Sequence, residues 1–170
     1  MSTGDRARII RGSLSVPVSA RWFILGAGAM GTALAHRLAA TGIDVQLLHH
    51  RDSGTRHLLS GGSDHRVPFE SLARCEPGSI GRLLLATKAI HLEAAMAAAL
   101  PLLAEDAVAV TIANGLGFAS RYTGPRGVVP LHRAVTTAAA YRDGSGRVVL
   151  AALGETHVGI DAAVVGPAPW

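Results

Sequence analysis

The chain has 170 residues, of which 49% are hydrophobic and 4% aromatic, and its 16 basic and 12 acidic side chains leave a net charge of +4. This length can bury a hydrophobic core and is typical of one domain. The basic residues are scattered and do not interleave with aromatic residues, which argues against a nucleic-acid partner. The longest apolar run, residues 94–104, is shorter than the roughly 20 residues that a membrane span needs, so no membrane partner is expected.

Cysteine and histidine usage excludes two further kinds of site. Cys75 is the only cysteine, so an internal disulfide cannot form and a cytoplasmic, reducing location is expected. None of the eight histidines has a zinc-ligand spacing with further ligands, so no metal site is predicted. Residues 1–20 lack the apolar segment of a secretory signal and are expected to be a flexible tail or an over-extended start of the reading frame.

A glycine-rich stretch is the most informative motif of the chain. The apolar segment 22–25 predicts a buried strand, and Gly-Ala-Gly-Ala-Met-Gly follows directly at residues 26–31. Met30, Leu34 and Leu38 then recur on one helix face, which predicts a helix over residues 29–41. In this strand–turn–helix context, G-x-G-x-x-G is typical of a loop that binds the pyrophosphate of a dinucleotide.

The glycines of this loop have distinct expected roles. Gly26 permits the tight turn, Gly28 lets the phosphates approach the backbone, and Gly31 lets the helix pack on the strand. The amides at the start of the helix face the negative charge of the ligand. The predicted cofactor-binding residues of the loop are therefore Gly26, Ala27, Gly28, Ala29, Met30 and Gly31.

The end of the second predicted strand, residues 45–48, indicates which dinucleotide binds. His50 and Arg51 follow this strand, where NAD-binding proteins usually carry a carboxylate for the ribose 2′-hydroxyl. A cation suits the 2′-phosphate of NADP, and the planar guanidinium of arginine binds phosphate well. We therefore predict NADP as the cofactor, with either His50 or Arg51 as the phosphate ligand. A solvated strand end without a ligand is the competing interpretation.

Two further strands are predicted to end in polar side chains. Residues 51–68 are polar and glycine-rich, which predicts a loop around one short helix. A buried strand over 81–87 ends at Lys88, and a strand over 106–113 ends at Asn114. Because ligands of doubly wound sheets bind outside the carboxyl ends of strands, Lys88 and Asn114 are the predicted catalytic and cofactor-contacting residues. A lysine that only faces solvent is the alternative.

The pattern beyond residue 127 changes from alternating helices and strands to short β segments. Strands are predicted over 128–132, 135–141 and 147–152, with a hairpin turn at 142–146 and a last segment at 157–159. The expected fold is α/β, a Rossmann-type doubly wound, mostly parallel sheet with a C-terminal β-rich extension. This domain is expected to span residues 21–160, with a linker over residues 161–170.

Four blocks in order resemble the N-terminal domain of the ketopantoate reductase (2-dehydropantoate 2-reductase) family. The glycine loop is the first, followed by Thr-Lys-Ala at 87–89 and Asn-Gly-Leu-Gly at 114–117. The fourth runs from Thr136-Thr137 through Arg-Asp-Gly at 142–144 to the segment 154–159. Many dehydrogenases share the first block, whereas the ordered set is much more specific and covers about residues 21–159.

The resemblance implies an activity and residue roles. In that family, NADPH delivers a hydride to the keto carbon of ketopantoate, and the pantoate formed enters pantothenate and coenzyme A synthesis. The resemblance places Lys88 at the cofactor and substrate cleft and Asn114 beside the nicotinamide ribose and the substrate. The family's 2′-phosphate arginine falls opposite His50, with Arg51 one place later, and Ala138 replaces a residue that is often polar.

The family's second, all-helical domain supplies its proton-donating lysine, and no residue here matches that lysine. Residues 161–170 are accordingly expected to be a truncated linker toward that domain. The chain is thus predicted to be the cofactor-binding half of an NADP-dependent reductase of the 2-dehydropantoate 2-reductase type, with ketopantoate as the substrate, and to be inactive or very weak alone. The expected partners are a helical domain or a second copy of the chain. A catalytically silent NADP-binding module and a reductase for another 2-oxo acid are the alternatives.

Overall fold

The computed structural model describes residues 21–115 and 119–159. The predicted tail 1–20, the linker 161–170 and two residues of the third block, Leu116 and Gly117, lie outside this part. The strands are Trp22–Leu25 (β1), Val45–His49 (β2), Gly54–Ser60 (β3), Ser63–Ser71 (β4), Ile80–Leu85 (β5), Leu103–Thr111 (β6), Arg121–Gly124 (β7), Gly127–Thr136 (β8), Ala139–Arg142 (β9), Val148–Ala152 (β10) and Thr156–Gly159 (β11). The helices are Ala29–Ala40 (α1) and Leu92–Ala99 (α2), with 3₁₀ turns at Leu72–Arg74, Ala89–His91 and Leu100–Leu102.

Six parallel strands form the centre of the sheet, in the order β8-β6-β5-β1-β2-β4. Numbered among themselves along the chain, they follow the 6-5-4-1-2-3 order of the Rossmann dinucleotide-binding fold. The predicted fold class is thereby confirmed. The order reverses between β1 and β5, and the ligand crevice of such sheets lies outside the carboxyl ends of the strands at that reversal. The crevice therefore opens where β1 runs into the glycine loop.

Successive residues of the central strands pack on opposite faces of the sheet. Ile24 and Leu47 belong to the buried cluster that includes Leu34 of α1. Their neighbours Leu25 and Leu48 belong to the cluster that includes α2. Each fully buried leucine or isoleucine contributes roughly 1.5–3 kcal/mol to the free energy of folding. Burial on both faces explains why these strands are continuous apolar runs and do not alternate with polar residues.

The interpretation of residues 51–68 as a loop around a short helix is wrong. β3 and β4 form an antiparallel hairpin in which Ser60 pairs with Ser63 across the two-residue turn Gly61-Gly62. Both glycines have positive φ, 58° and 82°, as the tight turns favoured in hairpins require. Leu58, Val67 and Phe69 bury the inner face of the hairpin. The Gly61-Gly62 pair is typical of a hairpin turn, but the polar residues on both sides of it weaken the alternation that would predict two strands.

The C-terminal β region is confirmed, with different boundaries. β8 is one continuous strand across two predicted segments, and β7, which the sequence analysis missed, pairs with it. The predicted hairpin turn at 142–146 joins β9 to β10, and β10 pairs with β3 in parallel. β9 and β10 thus extend the sheet beyond the first hairpin and pack against α1. This long-range pairing brings the end of β9 near the glycine loop.

The β9–β10 turn is held by Asp143. Its carboxylate accepts hydrogen bonds from the Ser145 hydroxyl and from the backbone N–H and guanidinium of Arg147, at 2.7–3.0 Å. The Ser145 hydroxyl, foremost among these donors, lowers the pKa of Asp143 to about 2. A carboxyl group whose pKa is lower in the folded state stabilises the fold when the pH is above its pKa in the unfolded chain. The contribution of Asp143 is therefore complete at neutral pH and is lost only as pH falls from about 4 toward 2.

Candidate functional site

Gly26 forms the tight turn between β1 and α1. Its φ is +125°, and a Cβ atom there would lie 2.8 Å from the carbonyl carbon and oxygen of Ala86. A side chain would therefore strain the backbone and collide with the chain that leaves β5. Both features confirm that the first glycine of the motif is required by the fold itself.

Gly31 has a second structural reason to be glycine. A Cβ atom at this position would overlap the carbonyl oxygen of Gly26 and would lie 3.3 Å from the Ala86 side chain. The first turn of α1 therefore packs directly on the glycine turn. This contact fixes the direction in which the N-terminal amides of α1 point.

Gly28 differs from both because nothing in the fold demands a glycine there. Its φ and ψ are −83° and −168°, which any residue can adopt, and a Cβ atom would meet nothing within 4 Å. The space beside Gly28 is open, and it lies at the N-terminus of α1, because Gly28 is the N-cap residue of that helix. A dinucleotide pyrophosphate needs open space of this kind against unobstructed backbone N–H groups. The residues present therefore fit that group.

The exit of β2 is ordered by His49, one residue before the predicted ligands. Its Nδ1 atom lies 3.1 Å from the backbone nitrogen of Asp52 and 3.4 Å from that of Arg51, and it accepts hydrogen bonds from both. The Asp52 carboxylate lies 3.4 Å from the same Nδ1 atom, which would require a proton there for an ion pair. Two N–H donors already point at this nitrogen, so the neutral ring with its proton on Nε2 fits the geometry. His50 and Arg51 themselves are exposed.

The pKa of His49 is lowered by burial, and His50, Arg56 and Arg51 lower it further against the opposing effect of Asp52. Burial also lowers the pKa of His36, with a smaller effect from the neighbouring His65 ring. Histidines of the unfolded chain take up protons near pH 6.5, whereas these two do so only at lower pH. The folded state is therefore disfavoured as pH falls below 6.5.

We expect the thermal midpoint of the chain to drop between pH 7.5 and pH 5.5 for this reason. His49→Gln should reduce the drop, because glutamine can accept a hydrogen bond without titrating. The measurement is differential scanning calorimetry at several pH values, with the exposed His91→Gln as the matched control. An unchanged drop in the His49 variant would contradict the assignment.

Lys88 and Asn114 lie at the carboxyl ends of neighbouring strands. Lys88 follows β5 and precedes the 3₁₀ turn Ala89–His91, and its carbonyl accepts a hydrogen bond from the backbone N–H of His91. Asn114 follows β6, next to Gly115, whose φ is +129°. Both side chains are exposed. Because β5 lies between β1 and β6, the ends that carry Gly26, Lys88 and Asn114 form one edge of the sheet.

Two arginines that the sequence analysis did not single out also reach the glycine loop. Arg56 Nε donates to the carbonyl oxygen of Ala27 at 3.0 Å, and Arg142 Nη2 donates to the same oxygen at 3.2 Å. Arg56 lies on β3, in the hairpin for which the sequence pattern predicts a loop. Arg142 lies 115 positions from Ala27, and no local pattern could have connected the two.

The fourth motif block closes one end of the sheet. The carbonyl of Glu155 accepts from the Thr137 N–H at 2.9 Å and from the Thr136 hydroxyl at 3.2 Å. Gly154 has a φ of +52°, and a Cβ atom there would overlap the backbone of Thr137 and Ala138. The Thr136-Thr137 and Gly154-Glu155-Thr156 segments therefore hold β8 and β11 together. This structural role is sufficient to explain these residues of the fourth block.

Neither a metal-ion site nor a membrane-spanning helix is found in the part of the chain that the structure describes. Across residues 21–115 and 119–159, no cluster of three or more histidine, cysteine, aspartate or glutamate side chains is arranged to hold a metal ion. In the same part of the chain, the helices are too short or too polar to cross a membrane.

Comparison with known proteins supports the same fold. The family model for ketopantoate reductase PanE/ApbA matches residues 22–162. A dimeric ketopantoate reductase from Staphylococcus aureus superposes with a TM-score of 0.68 at 17% identity, over 84% of this chain and 48% of that one. A protein from Enterococcus faecalis, described as a 2-dehydropantoate 2-reductase, gives 0.65 at 25% identity over 85% and 50%.

A D-mandelate dehydrogenase, in a ternary structure with NADH and anilino(oxo)acetate, is also similar. It gives a TM-score of 0.65 at 21% identity, over 81% of this chain and 47% of that one. The chain thus spans about half the length of the solved structures it matches.

Proposed function

The chain belongs to the ketopantoate reductase PanE/ApbA family, and from this premise we propose that it is the cofactor-binding half of an NADP-dependent 2-dehydropantoate 2-reductase. The open space beside Gly28, at the strand-order reversal of the sheet, carries the proposal. The fold needs glycine at positions 26 and 31 for internal reasons, but position 28 is left open to a ligand. Bound NADPH would supply the hydride that reduces the keto group of ketopantoate.

The proposed roles of the site residues follow from their positions at one edge of the sheet. The N–H groups of the loop and of the first turn of α1, from Ala27 to Gly31, bind the pyrophosphate. Lys88 offers an exposed cation to the carboxylate of a 2-oxo acid, and Asn114 offers an amide to the nicotinamide ribose and the substrate. The reduced carbonyl oxygen also needs a proton, and we propose that a helical domain carries the group that donates it.

Cofactor preference follows from the charges at the exit of β2. We expect NADPH to bind about tenfold or more tightly than NADH, because a charge-assisted hydrogen bond to the 2′-phosphate contributes about 1.5–3 kcal/mol. Arg51→Ala should weaken NADPH binding and leave NADH binding nearly unchanged. Isothermal titration calorimetry with both cofactors measures this. Equal affinities of the unaltered chain for both cofactors would contradict NADP selectivity, and an unaffected Arg51 variant would point to His50 or to another cation.

A reductase for another 2-oxo acid is the second candidate. The similar D-mandelate dehydrogenase structure, solved with NADH and anilino(oxo)acetate, favours it. Lys88 would serve any 2-oxo carboxylate equally, since it recognises the acid and not the rest of the substrate. Comparison of ketopantoate with other 2-oxo acids, in the presence of a completing helical domain, distinguishes the two candidates.

The proposed partner is a helical domain, with self-association as the alternative. β11 is the last strand at one end of the described sheet, and its four residues are exposed. Val135 and Val158 expose 65% and 56% of their surface there. Val135 is paired with His157 and Val158 with Ala134, so the two valines point to opposite faces of the strand pair. Together with the open edge of β11 in the described sheet, they favour contact with a further domain or with a second copy of the chain.

A further inference from the structure

The carbonyl oxygen of Ala27 is shared by two cationic side chains. Arg56 reaches it from β3 and Arg142 from the end of β9, at 3.0 and 3.2 Å. Two guanidinium groups that donate to one atom are necessarily close neighbours. One carbonyl dipole offsets only part of the repulsion between them, and an anion bound beside them would supply a compensating charge.

The described residues do not supply that compensating charge. In residues 21–115 and 119–159, no carboxylate oxygen lies within 4.0 Å of either guanidinium. Asp52 is the acidic residue that interacts with Arg56, and it does so beyond ion-pair distance. Burial and, next, the charge of Arg142 lower the pKa of Arg56. The pair therefore forms a positive site beside the glycine loop.

Arg56 is also held in place before any ligand arrives. Its guanidinium lies 4.6 Å from the centre of the Phe69 ring, and Phe69 is buried in the hairpin. Only one of its five N–H donors is used by Ala27, and the same holds for Arg142. Free donors on a pre-positioned planar group are suited to bidentate binding of phosphate.

We propose that Arg56 and Arg142 form a two-arginine site for a phosphate group of the bound dinucleotide, specifically the 2′-phosphate of its adenosine ribose. The proposal rests on the proposed function, since it assumes that the glycine loop binds a dinucleotide. It also assigns the main 2′-phosphate ligands to β3 and β9, whereas His50 and Arg51 at the exit of β2 provide additional positive charge.

The 2′-phosphate is favoured over the pyrophosphate by the position of Arg56. The backbone amides at Gly28 and at the N-terminus of α1 are already suited to bind the pyrophosphate. Arg56 instead follows the exit of β2 by a few residues, and it interacts electrostatically with His49 and Asp52 of that exit. In Rossmann folds, this exit faces the ribose that carries the 2′-substituent.

Calorimetric titration of the full chain and of the single variants Arg56→Gln and Arg142→Gln tests the proposal, with NADPH, NADH, adenosine 2′,5′-bisphosphate and 5′-ADP as ligands. We expect each variant to lose about tenfold or more in affinity for the two ligands with a 2′-phosphate. Binding of NADH and 5′-ADP should change by no more than about twofold. Arg21→Gln is the matched control, because Arg21 pairs with Asp44 at the amino-terminal ends of β1 and β2, away from the proposed site.

The outcomes separate this inference from the proposed function. Equal losses for all four ligands would overturn the 2′-phosphate assignment and make the pair a support of the loop or a pyrophosphate ligand. Unchanged affinities would overturn it as well. Failure of the unaltered chain to bind any dinucleotide would instead reject the proposed function. If a glutamine variant unfolds, Arg56→Lys and Arg142→Lys retain the charge but not the planar group, and a loss confined to NADPH would then support the proposal.

Discussion

Gly28→Val is expected to abolish binding of both NADPH and NADH while the domain stays folded. The valine side chain would enter open space, because no residue other than the adjacent ones comes within 4 Å of its Cβ and the backbone conformation is allowed. The same side chain would occupy the place proposed for the pyrophosphate. Loss of two or more charge-assisted hydrogen bonds, each about 1.5–3 kcal/mol, lowers affinity on the order of 100-fold or more.

Two matched glycine variants make this experiment decisive. Gly81→Val adds the same side chain to open space near the start of β5, away from the carboxyl ends of the strands, and should leave binding unchanged. Gly31→Ala should unfold the chain or lower its thermal midpoint sharply, because its Cβ would overlap the Gly26 carbonyl. Circular dichroism and calorimetric titration measure both properties. A folded Gly28→Val variant that binds NADPH normally would show that the loop is only a structural turn.

The second large effect concerns turnover. We expect the 170-residue chain alone to reduce ketopantoate roughly 10²–10⁴-fold more slowly than a full-length relative, since a missing general acid costs about that much. Hydride transfer leaves a negative oxygen that must be stabilised and protonated, and less precise substrate orientation lowers the rate further. Two histidines of this chain are the other candidates for the proton donor. His132 is 7% exposed within β8, and Nε2 of His157, on β11, lies 3.2 Å from the carboxylate of Glu155.

The measurement is NADPH oxidation by the purified chain with ketopantoate, with and without the C-terminal helical domain of a full-length relative. Added helical domain should raise the rate, and Lys88→Ala should then lower it. Lys88→Ala should leave NADPH affinity less affected than turnover if its main partner is the substrate carboxylate. Turnover by the chain alone at the rate of a full-length relative would place the proton donor within these 170 residues.

Much of the fold could be predicted because its signals are local. The strand of apolar residues, the glycine turn and the helix that follows lie within about twenty consecutive residues, and β1 and α1 begin at the predicted positions. Lys88 and Asn114 were predicted at strand ends, and the structure places them there. The hairpin from Gly54 to Ser71 was missed because its outer faces are exposed and polar, so that hydrophobic alternation is weak.

The sequence by itself determined the glycine loop, the order of helix and strand around it and the positive charge at the exit of β2. Backbone conformation and contacts between near neighbours encode these features, as the positive φ of Gly26 illustrates. Only the tertiary structure brought Arg56 and Arg142 to one carbonyl oxygen, whereas the open position 28 and the crowded positions 26 and 31 agree with the roles that the glycine motif predicts. The pairing of β10 with β3 depends on burial of Val148 and Leu58, which are ninety positions apart in the sequence. Such contacts depend on how the whole core packs, and local sequence patterns do not specify them.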